Sequence, residues 1–222
     1  MPITRRAFLA GSSGLLLAGC SAQTRQLAAP SLAAEPVHLA MYAAMPQERF
    51  PLPAVNLKNV DPAFYRTMVD YPTAEPVGTI IVDTPNRYLY LTMENGQAMR
   101  YGVGIGRAGF SWDGEARIAW KRAWPTWTPP AEMIARQPEL EKYRQGMEPG
   151  LDNPLGARAL YIFEGGQDTL YRVHGTSEEW SIGKAVSSGC VRLLNQDVID
   201  LYNRVPDGSR ILVRQDSSTL VG

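Results

Sequence analysis

Cys190 and His174 are the two residues whose types could support nucleophilic catalysis. A cysteine attacks efficiently only as the thiolate, and an ordinary thiol needs a neighbouring base or cation to reach that state at neutral pH. The sequence contains two histidines, and His38 lies in a segment that we interpret as a tether. If Cys190 has a histidine partner, it is therefore His174, and this pair predicts a cysteine nucleophile with an imidazole base.

The residues around Cys190 fit this chemistry. Gly189 removes side-chain bulk beside the thiol, and the backbone N–H groups near Ser188, Gly189 and Cys190 could converge on a developing oxyanion. Arg192 lies two residues beyond the nucleophile, so on an extended segment it shares that residue's face. There it could bind a substrate carboxylate through two hydrogen bonds.

Other interpretations start from composition. A lone cysteine is more often a small buried apolar residue, and a lone histidine more often a satisfied structural one. The sequence has 2 Cys and 2 His, without CxxC or HExxH spacing, so we expect no metal site. The formal net charge is +0, which does not favour nucleic acid as a partner.

The order and spacing of the residues around His174 and Cys190 favour the catalytic interpretation over the structural one. His174-Gly175-Thr176 is followed by Ser187-Ser188-Gly189-Cys190-Val191-Arg192, which resembles the signature of the L,D-transpeptidase (YkuD-like) catalytic domain. Three upstream runs are also typical of that family: Val103–Arg107, Trp124–Pro130 and Asn153–Gly156. One departure is Ser188, where many members carry a second histidine, so His174 would act alone as base.

The resemblance implies a mostly β fold and acyl transfer on peptidoglycan stem peptides, without a cofactor. Cys190 would attack the carbonyl of the third stem residue and expel D-alanine, and an amine would resolve the thioester to a 3→3 cross-link. The amine would come from a second stem peptide or a protein lysine. By the same resemblance, the Gly175 carbonyl orients the imidazole, and Arg192, Ser187 and Thr176 contact substrate. A hydrolase using the same thioester, such as an L,D-carboxypeptidase, and a non-catalytic wall-binding lipoprotein are the alternatives.

The elements that must position these residues are mainly short strands. We predict a β-sandwich or closed sheet with a few short helices. Asp61-Pro62 could cap a helix through Met68, or this stretch could be extended; Asn195 is the predicted N-cap of a helix from Gln196 to Arg204. That helix would have an apolar stripe of Val198, Leu201, Tyr202 and Val205. The predicted strands are Thr79–Val82, Arg87–Thr92, Met99–Ile105, Ala116–Lys121, Ala159–Phe163, Leu170–His174 and Arg210–Val213.

The N-terminal residues predict export. Arg5-Arg6 followed by an apolar run resembles a twin-arginine signal, and Leu17-Ala18-Gly19-Cys20 resembles a lipobox. We therefore expect a periplasmic protein anchored in a membrane by a lipid on Cys20. A simple secretory signal, or a disulfide between Cys20 and Cys190, is the alternative. The predicted divisions are a signal at 1–20, a flexible tether at 21–53, an extension packing on the domain at 54–76, a catalytic domain at 77–214 and a tail at 215–222.

Aromatic and charged residues near the motif have two interpretations. Trp112, Trp120, Trp124 and Trp127 could line a substrate groove, but packing beneath a rigid loop is the favoured interpretation. Glu178, Glu179 and Lys184 are interpreted as solvated loop charges.

Overall fold

The computed structural model describes residues 35–106, 113–187 and 190–215. Within these ranges the chain forms three α-helices, α1 (Pro36–Met41), α2 (Ala131–Arg136) and α3 (Asn195–Arg204). The strands in the described ranges are β1 (Thr67–Asp70), β2 (Ile80–Asp83), β3 (Tyr88–Thr92), β4 (Gln97–Gly102), β5 (Ile105–Gly106), β6 (Gly114–Ala123), β7 (Arg158–Glu164), β8 (Gln167–Thr176), β9 (Ala185–Ser187), β10 (Val191–Leu194) and β11 (Arg210–Arg214). Short 3₁₀ turns cover Leu57–Asn59, Pro62–Phe64, Glu94–Gly96, Pro138–Tyr143 and Glu179–Ser181.

One large sheet dominates the described part of the chain. Its strand order is β1-β4-β3-β2-β11-β6-β7-β8-β10, while β5 and β9 form a separate parallel pair. Gly104, two residues after β4, exchanges backbone hydrogen bonds of 2.9 and 2.8 Å with Arg192 of β10. The edge strand β10 therefore meets the chain that leaves β4, so the sheet curls round on itself. The prediction of a mostly β fold with few helices is confirmed.

Helix α3 covers one face of the strands that carry the motif. It packs across β7, β8 and β10, and Val198, Leu201 and Val205 of the predicted stripe are fully or almost fully buried. They join a core cluster that includes Val173 and Leu193. Because side chains alternate along a strand, the neighbours of Val173 on β8 face the opposite side of the sheet.

Two predicted helix starts differ in outcome. The Asp61 cap is confirmed, since its carboxylate accepts a hydrogen bond from the Ala63 N–H at 2.9 Å. The helix nevertheless ends at Phe64 instead of Met68, because the chain becomes extended at Tyr65 and then forms β1, which pairs with β4. The prediction of a helix through Met68 is therefore wrong, and the extended alternative is the one observed beyond Phe64.

Asn195 is not the N-cap of α3. Leu194 holds that position, and Asn195 begins the helix. Its side-chain oxygen instead accepts a hydrogen bond from the Ala157 N–H at 2.9 Å. This distant backbone donor competes successfully for the oxygen that local capping would have used.

The predicted flexible tether is too long. From Pro36 the chain forms α1, which has no buried residue, and it packs against the domain from Tyr42 onward. Tyr42 is 1% exposed and Leu52 is 4% exposed. Glu48 binds Arg158 and the Trp124 indole N–H, with contacts of 2.7 to 2.9 Å. The prediction of a tether through residue 53 is wrong for residues 42–53, because Tyr42 and Leu52 are buried and Glu48 is paired with Arg158.

A buried polar cluster fastens this N-terminal segment to α3. The Tyr42 hydroxyl donates to Asp197 at 3.1 Å and accepts from the Arg66 N–H at 2.7 Å. The Arg66 guanidinium lies 3.7 Å from Asp197 and 3.2 Å from Asp200. Burial raises the pKa of Asp197 to about 7, although Arg66 and Tyr42 oppose that change. The charged groups of the segment and of the helix are therefore buried together as partners, which lowers the cost of removing each of them from water.

Close backbone contact also joins the chain before β7 to the end of β8. Gly156 adopts a φ of +61°, and a Cβ built there would lie 2.4 Å from the Asn195 side-chain oxygen and 2.6 Å from the Gly175 carbonyl carbon. These neighbours include backbone, which cannot move aside easily. Glycine is therefore required at position 156 by both conformation and space.

We expect Gly156→Ala to lower the free energy of unfolding by about 3 kcal/mol or more, because it combines left-handed strain with a steric clash. Gly165→Ala is the matched control, since Gly165 has a φ of +55° with nothing within 4 Å of an added Cβ. It should cost about 1 to 2 kcal/mol from conformation alone. Urea denaturation of both variants measures the difference, and equal losses would contradict the steric argument.

Candidate active site

The parallel pairing of β8 with β10 brings the motif residues together. Val191 lies opposite Val173, and Arg192 lies opposite His174. Cys190, directly before β10, therefore lies alongside Arg172. Val173 and Val191 are both fully buried in the core, so Cys190, Arg192, Arg172 and His174 all belong to the opposite face. Cys190 and His174 are diagonal neighbours on this face, a relation that places Cα atoms about 7 to 8 Å apart.

His174 is held with one ring nitrogen available. The residue is 4% exposed, and its Nδ1 lies 2.7 Å from the Gly175 carbonyl oxygen. A carbonyl can only accept, so Nδ1 carries the proton and Nε2 keeps its lone pair. The contact expected between the imidazole and Gly175 is present. Nε2 is therefore the atom that can accept a proton.

Burial lowers the pKa of His174 to about 4. Arg192 and Arg172 act in the same direction, while the hydrogen bond to Gly175 opposes them. The ordinary histidine pKa is 6.5, so between pH 6.5 and 4 an unfolded chain binds a proton here that the folded chain does not. The stability contributed by this site is complete above pH 6.5 and is lost as the pH falls toward 4.

The Cys190 thiol is half-buried at the end of the same row. Burial raises its pKa above the ordinary value of 9.0, although a backbone hydrogen bond at Arg172 and the charges of Arg172 and Arg192 oppose this change. A raised thiol pKa and a lowered imidazole pKa describe a neutral pair. A neutral thiol of this kind would have to lose its proton in order to act as a nucleophile.

Arg192 is already engaged by Glu178. Its Nη1 donates to the Glu178 carboxylate at 2.6 Å, and the two side chains are 19% and 51% exposed. Among the described residues, the buried Arg192 Nε has no hydrogen-bond partner. The prediction that Glu178 is simply a solvated loop charge is wrong, because it occupies part of the fork expected to bind a carboxylate.

Thr176 organises the loop that carries Glu178. The residue is 6% exposed, and its hydroxyl oxygen accepts a hydrogen bond from the Glu178 N–H at 3.0 Å. Glu179, also predicted to be a solvated charge, instead accepts from the Asn56 N–H at 2.7 Å and the Asn59 amide at 3.0 Å. The loop after β8 is therefore fixed at both acidic residues.

Arg172 is a site residue that the sequence analysis missed. Its guanidinium binds Asp168 through contacts of 2.6 and 2.7 Å. It also lies 4.4 Å from the centroid of the Tyr161 ring. The signal available in the sequence was its spacing, because a residue two before His174 on a strand shares that histidine's face.

Some predicted residues lie outside the description. Ser188, Gly189 and Cys20 are not among the described residues, and neither is Trp112. Ser187 ends β9, which pairs with β5. Within the described ranges, no group of three Cys, His, Asp or Glu side chains is placed to hold a metal ion.

The other tryptophans pack in different ways. Trp124 is 4% exposed and meets Phe50 edge-on with centroids 4.9 Å apart, as the packing interpretation expects. Trp120 is stacked on Tyr161 with centroids 3.5 Å apart. Asn153 fixes the loop that follows Trp124 by donating to Pro125 and by accepting from the Leu155 N–H.

Comparison with known proteins agrees with this geometry. The family model described as L,D-transpeptidase catalytic domain matches residues 78–213. The Escherichia coli K12 proteins "Probable L,D-transpeptidase YbiS" and "Probable L,D-transpeptidase YcfS" are 37% and 34% identical over 145 and 144 residues. These matches cover 60% and 63% of this chain but 43% and 44% of those relatives, so the chain spans less than half of their length.

A solved structure from Brucella melitensis covers more of the chain. It is 44% identical, has a TM-score of 0.50, and covers 68% of this chain and 94% of its own. That protein is described as a "Probable carnitine operon oxidoreductase caia". The description concerns the Brucella protein, and the likeness supports the shared fold.

The raised thiol pKa predicts a specific pH profile for Cys190. We expect its alkylation by iodoacetamide to rise about tenfold per pH unit from pH 6 to 9, without a plateau, because the thiolate fraction grows throughout this range. Mass spectrometry of the Cys190 peptide measures the rate, with glutathione as the reference thiol. A plateau below pH 7 would instead indicate a preformed thiolate–imidazolium pair.

Proposed function

Because this chain belongs to the L,D-transpeptidase catalytic domain family, we propose that it transfers acyl groups between peptidoglycan stem peptides through a thioester on Cys190. The observation that carries this proposal is the β8–β10 register, which makes Cys190 and the neutral His174 diagonal neighbours on one face. The curated relatives are longer than this chain, so their activity enters here as a proposal.

The first half-reaction forms the acyl-enzyme. The Cys190 sulfur attacks the carbonyl carbon of the third stem residue while the thiol proton passes to His174 Nε2. The carbon–nitrogen bond to the terminal D-alanine then breaks, and that nitrogen takes the proton back from the imidazole. A thioester and neutral His174 remain. The Nδ1–Gly175 hydrogen bond at 2.7 Å keeps the ring oriented throughout.

The second half-reaction releases the acyl group. An amine from a second stem peptide attacks the thioester and passes a proton to His174, and the departing Cys190 sulfur recovers it. The product is a 3→3 cross-link; a protein lysine would give an attached protein by the same steps. The backbone N–H groups near Ser188, Gly189 and Cys190 are proposed to stabilise the oxyanion in both halves.

Arg192 is the proposed site for a substrate carboxylate. It lies on the same face as Cys190 and directly beside His174. Glu178 fills only part of its fork, because the contact involves Nη1. We propose that an incoming carboxylate replaces Glu178 on Arg192. Ser187 and Thr176, which border the loops next to this site, are also proposed to help bind the substrate.

The proposed location is the periplasm, with an anchor provided by a lipid on Cys20. The residues from Arg5 to Cys20 carry this inference. No helix among the described residues is long and apolar enough to cross a membrane. Such an anchor would keep the enzyme close to its peptidoglycan substrate.

Product analysis tests the reaction. Incubation of the purified protein with disaccharide-tetrapeptide should yield a cross-linked dimer together with free D-alanine, identified by mass spectrometry. Cys190→Ala should abolish both products, because the nucleophile is removed. Disaccharide-tripeptide without dimer would replace transfer with hydrolysis. If no product forms and a carbapenem fails to acylate Cys190, the proposal of an enzyme is wrong.

Variants of the ion pair test the proposed carboxylate site. Glu178→Gln should lower KM for the donor about three- to tenfold, because it removes a competing carboxylate from Arg192. Arg192→Gln should raise KM by about tenfold or more through loss of a charge-assisted bond. Steady-state kinetics with the tetrapeptide measure both. Glu141→Gln is the control, since Glu141 pairs with Arg144 on an exposed surface; if Glu178→Gln behaves like this control, the exchange proposal fails.

A further inference from the structure

Arg172 occupies the position on β8 that is nearest in register to the nucleophile. Val173 pairs with Val191, so Arg172 lies alongside Cys190, and Tyr161 of β7 lies opposite Arg172. Trp120 of β6 lies opposite Tyr161 in turn. A single row therefore crosses four neighbouring segments from Trp120 to Cys190, with Arg172 next to Cys190 in register.

Three contacts fix the guanidinium in this row. Asp168 binds it at 2.6 and 2.7 Å, and the Tyr171 carbonyl accepts a further hydrogen bond at 2.8 Å. The Tyr161 ring lies beneath it with a centroid distance of 4.4 Å. The Arg172 side chain is 13% exposed. Its charge is therefore held in place before any substrate arrives, without further ordering during the reaction.

The charge of Arg172 is not cancelled by its partner. Burial would raise the pKa of Asp168, but hydrogen bonds from Arg172 and the Leu170 N–H hold it below its ordinary value, so Asp168 remains ionised. Asp168 is 34% exposed, whereas Arg172 is 13% exposed. Water screens the carboxylate more strongly than the guanidinium, which leaves a net positive field on the protected side.

Among the described residues, the charged or titratable groups that face Cys190 come from three strands. They are Arg172 and His174 on β8, Arg192 on β10 and Tyr161 on β7. Arg192 is paired with the half-exposed Glu178 through a single contact, and its charge follows that of Arg172 in lowering the pKa of Cys190. The imidazole is neutral near pH 7. Burial has the largest effect on the pKa of Cys190 and raises it, and a backbone hydrogen bond at position 172 lowers it. The side-chain charge of Arg172 lowers this pKa further, and only that contribution depends on the arginine.

We propose that Arg172 is a positioning residue that holds positive charge against the Cys190 sulfur as the thiolate forms and as it departs from the thioester. The proposal rests on the proposed function for what the thiolate does. Asp168 and Tyr161 would act through Arg172 by fixing where its charge lies.

The test compares the pH profile of Cys190 alkylation in Arg172→Gln, Arg172→Lys and the unaltered full chain. Arg172→Gln should raise the thiol pKa by about one unit and lower the rate at pH 8 about tenfold. The two profiles should converge only at a pH well above the raised thiol pKa of both proteins, where both thiols are ionised. Arg172→Lys keeps the charge but loses the two-point contact with Asp168 and the stacking on Tyr161, so its rate at pH 8 should lie between those of Arg172→Gln and the unaltered chain.

Arg122→Gln is the matched control. Arg122 stacks on Trp120 at 5.5 Å, so it belongs to the same aromatic row but lies two strands away from β8. Its removal should leave the Cys190 profile unchanged. Thermal unfolding of each variant checks that the fold persists.

The outcomes separate this proposal from the proposed function, because alkylation requires no stem peptide. Identical profiles for Arg172→Gln and the unaltered chain would overturn the role of Arg172 even if cross-linking is observed. A loss that is the same at every pH, and that Arg172→Lys shares, would also overturn it, since that pattern reports distorted packing. If the alkylation profiles are as expected but no peptidoglycan product forms, the role of Arg172 is supported and the proposed reaction is wrong.

Discussion

The parallel pairing of β8 with β10 is the constraint on which the site depends. A parallel pair needs a crossover connection, which is usually helical; here the residues from Ser177 to Cys190 make the return, and their described part contains a 3₁₀ turn and β9. The core contacts of Val173 and Val191 fix the register. A slip of one residue would turn Cys190 into the core and leave His174 without its neighbour. The same apolar packing that stabilises the sheet therefore sets the catalytic geometry.

Burial then decides the protonation state of the pair. Desolvation disfavours the charged form of both groups, so it lowers the pKa of His174 and raises that of Cys190. The positive charges of the nearby arginines stabilise a thiolate on Cys190 but destabilise an imidazolium on His174. They therefore favour one member of a preformed thiolate–imidazolium pair and disfavour the other. A resting enzyme with a neutral thiol is less exposed to oxidation and alkylation than one with a standing thiolate. The reaction that we propose would then need proton transfer at the moment of attack.

The sequence predicted those features that depend on local pattern. Apolar patterns identified the longer strands but not β1, β9 or β10, and the spacing of Cys190, Arg192 and His174 identified the motif. Features that depend on distant partners were not predicted. Asn195 looks like a cap until Ala157 offers its N–H, and Arg172 looks like an ordinary strand residue until Asp168 and Tyr161 fix it. The N-terminal segment lacks a regular period because it packs through isolated anchors such as Tyr42.

Because of those anchors, the part of the chain that packs as one domain is longer than the part that matches the family. The family match starts at residue 78, but Tyr42, Glu48 and Arg66 hold charged groups that belong to the matched region. A fragment cut at the family boundary would lose β1 from the sheet and leave Asp197 and Arg158 buried without these partners. The shortest fragment expected to fold by itself is therefore longer than the region that matches the family, because the buried charges of that region need partners from the upstream segment.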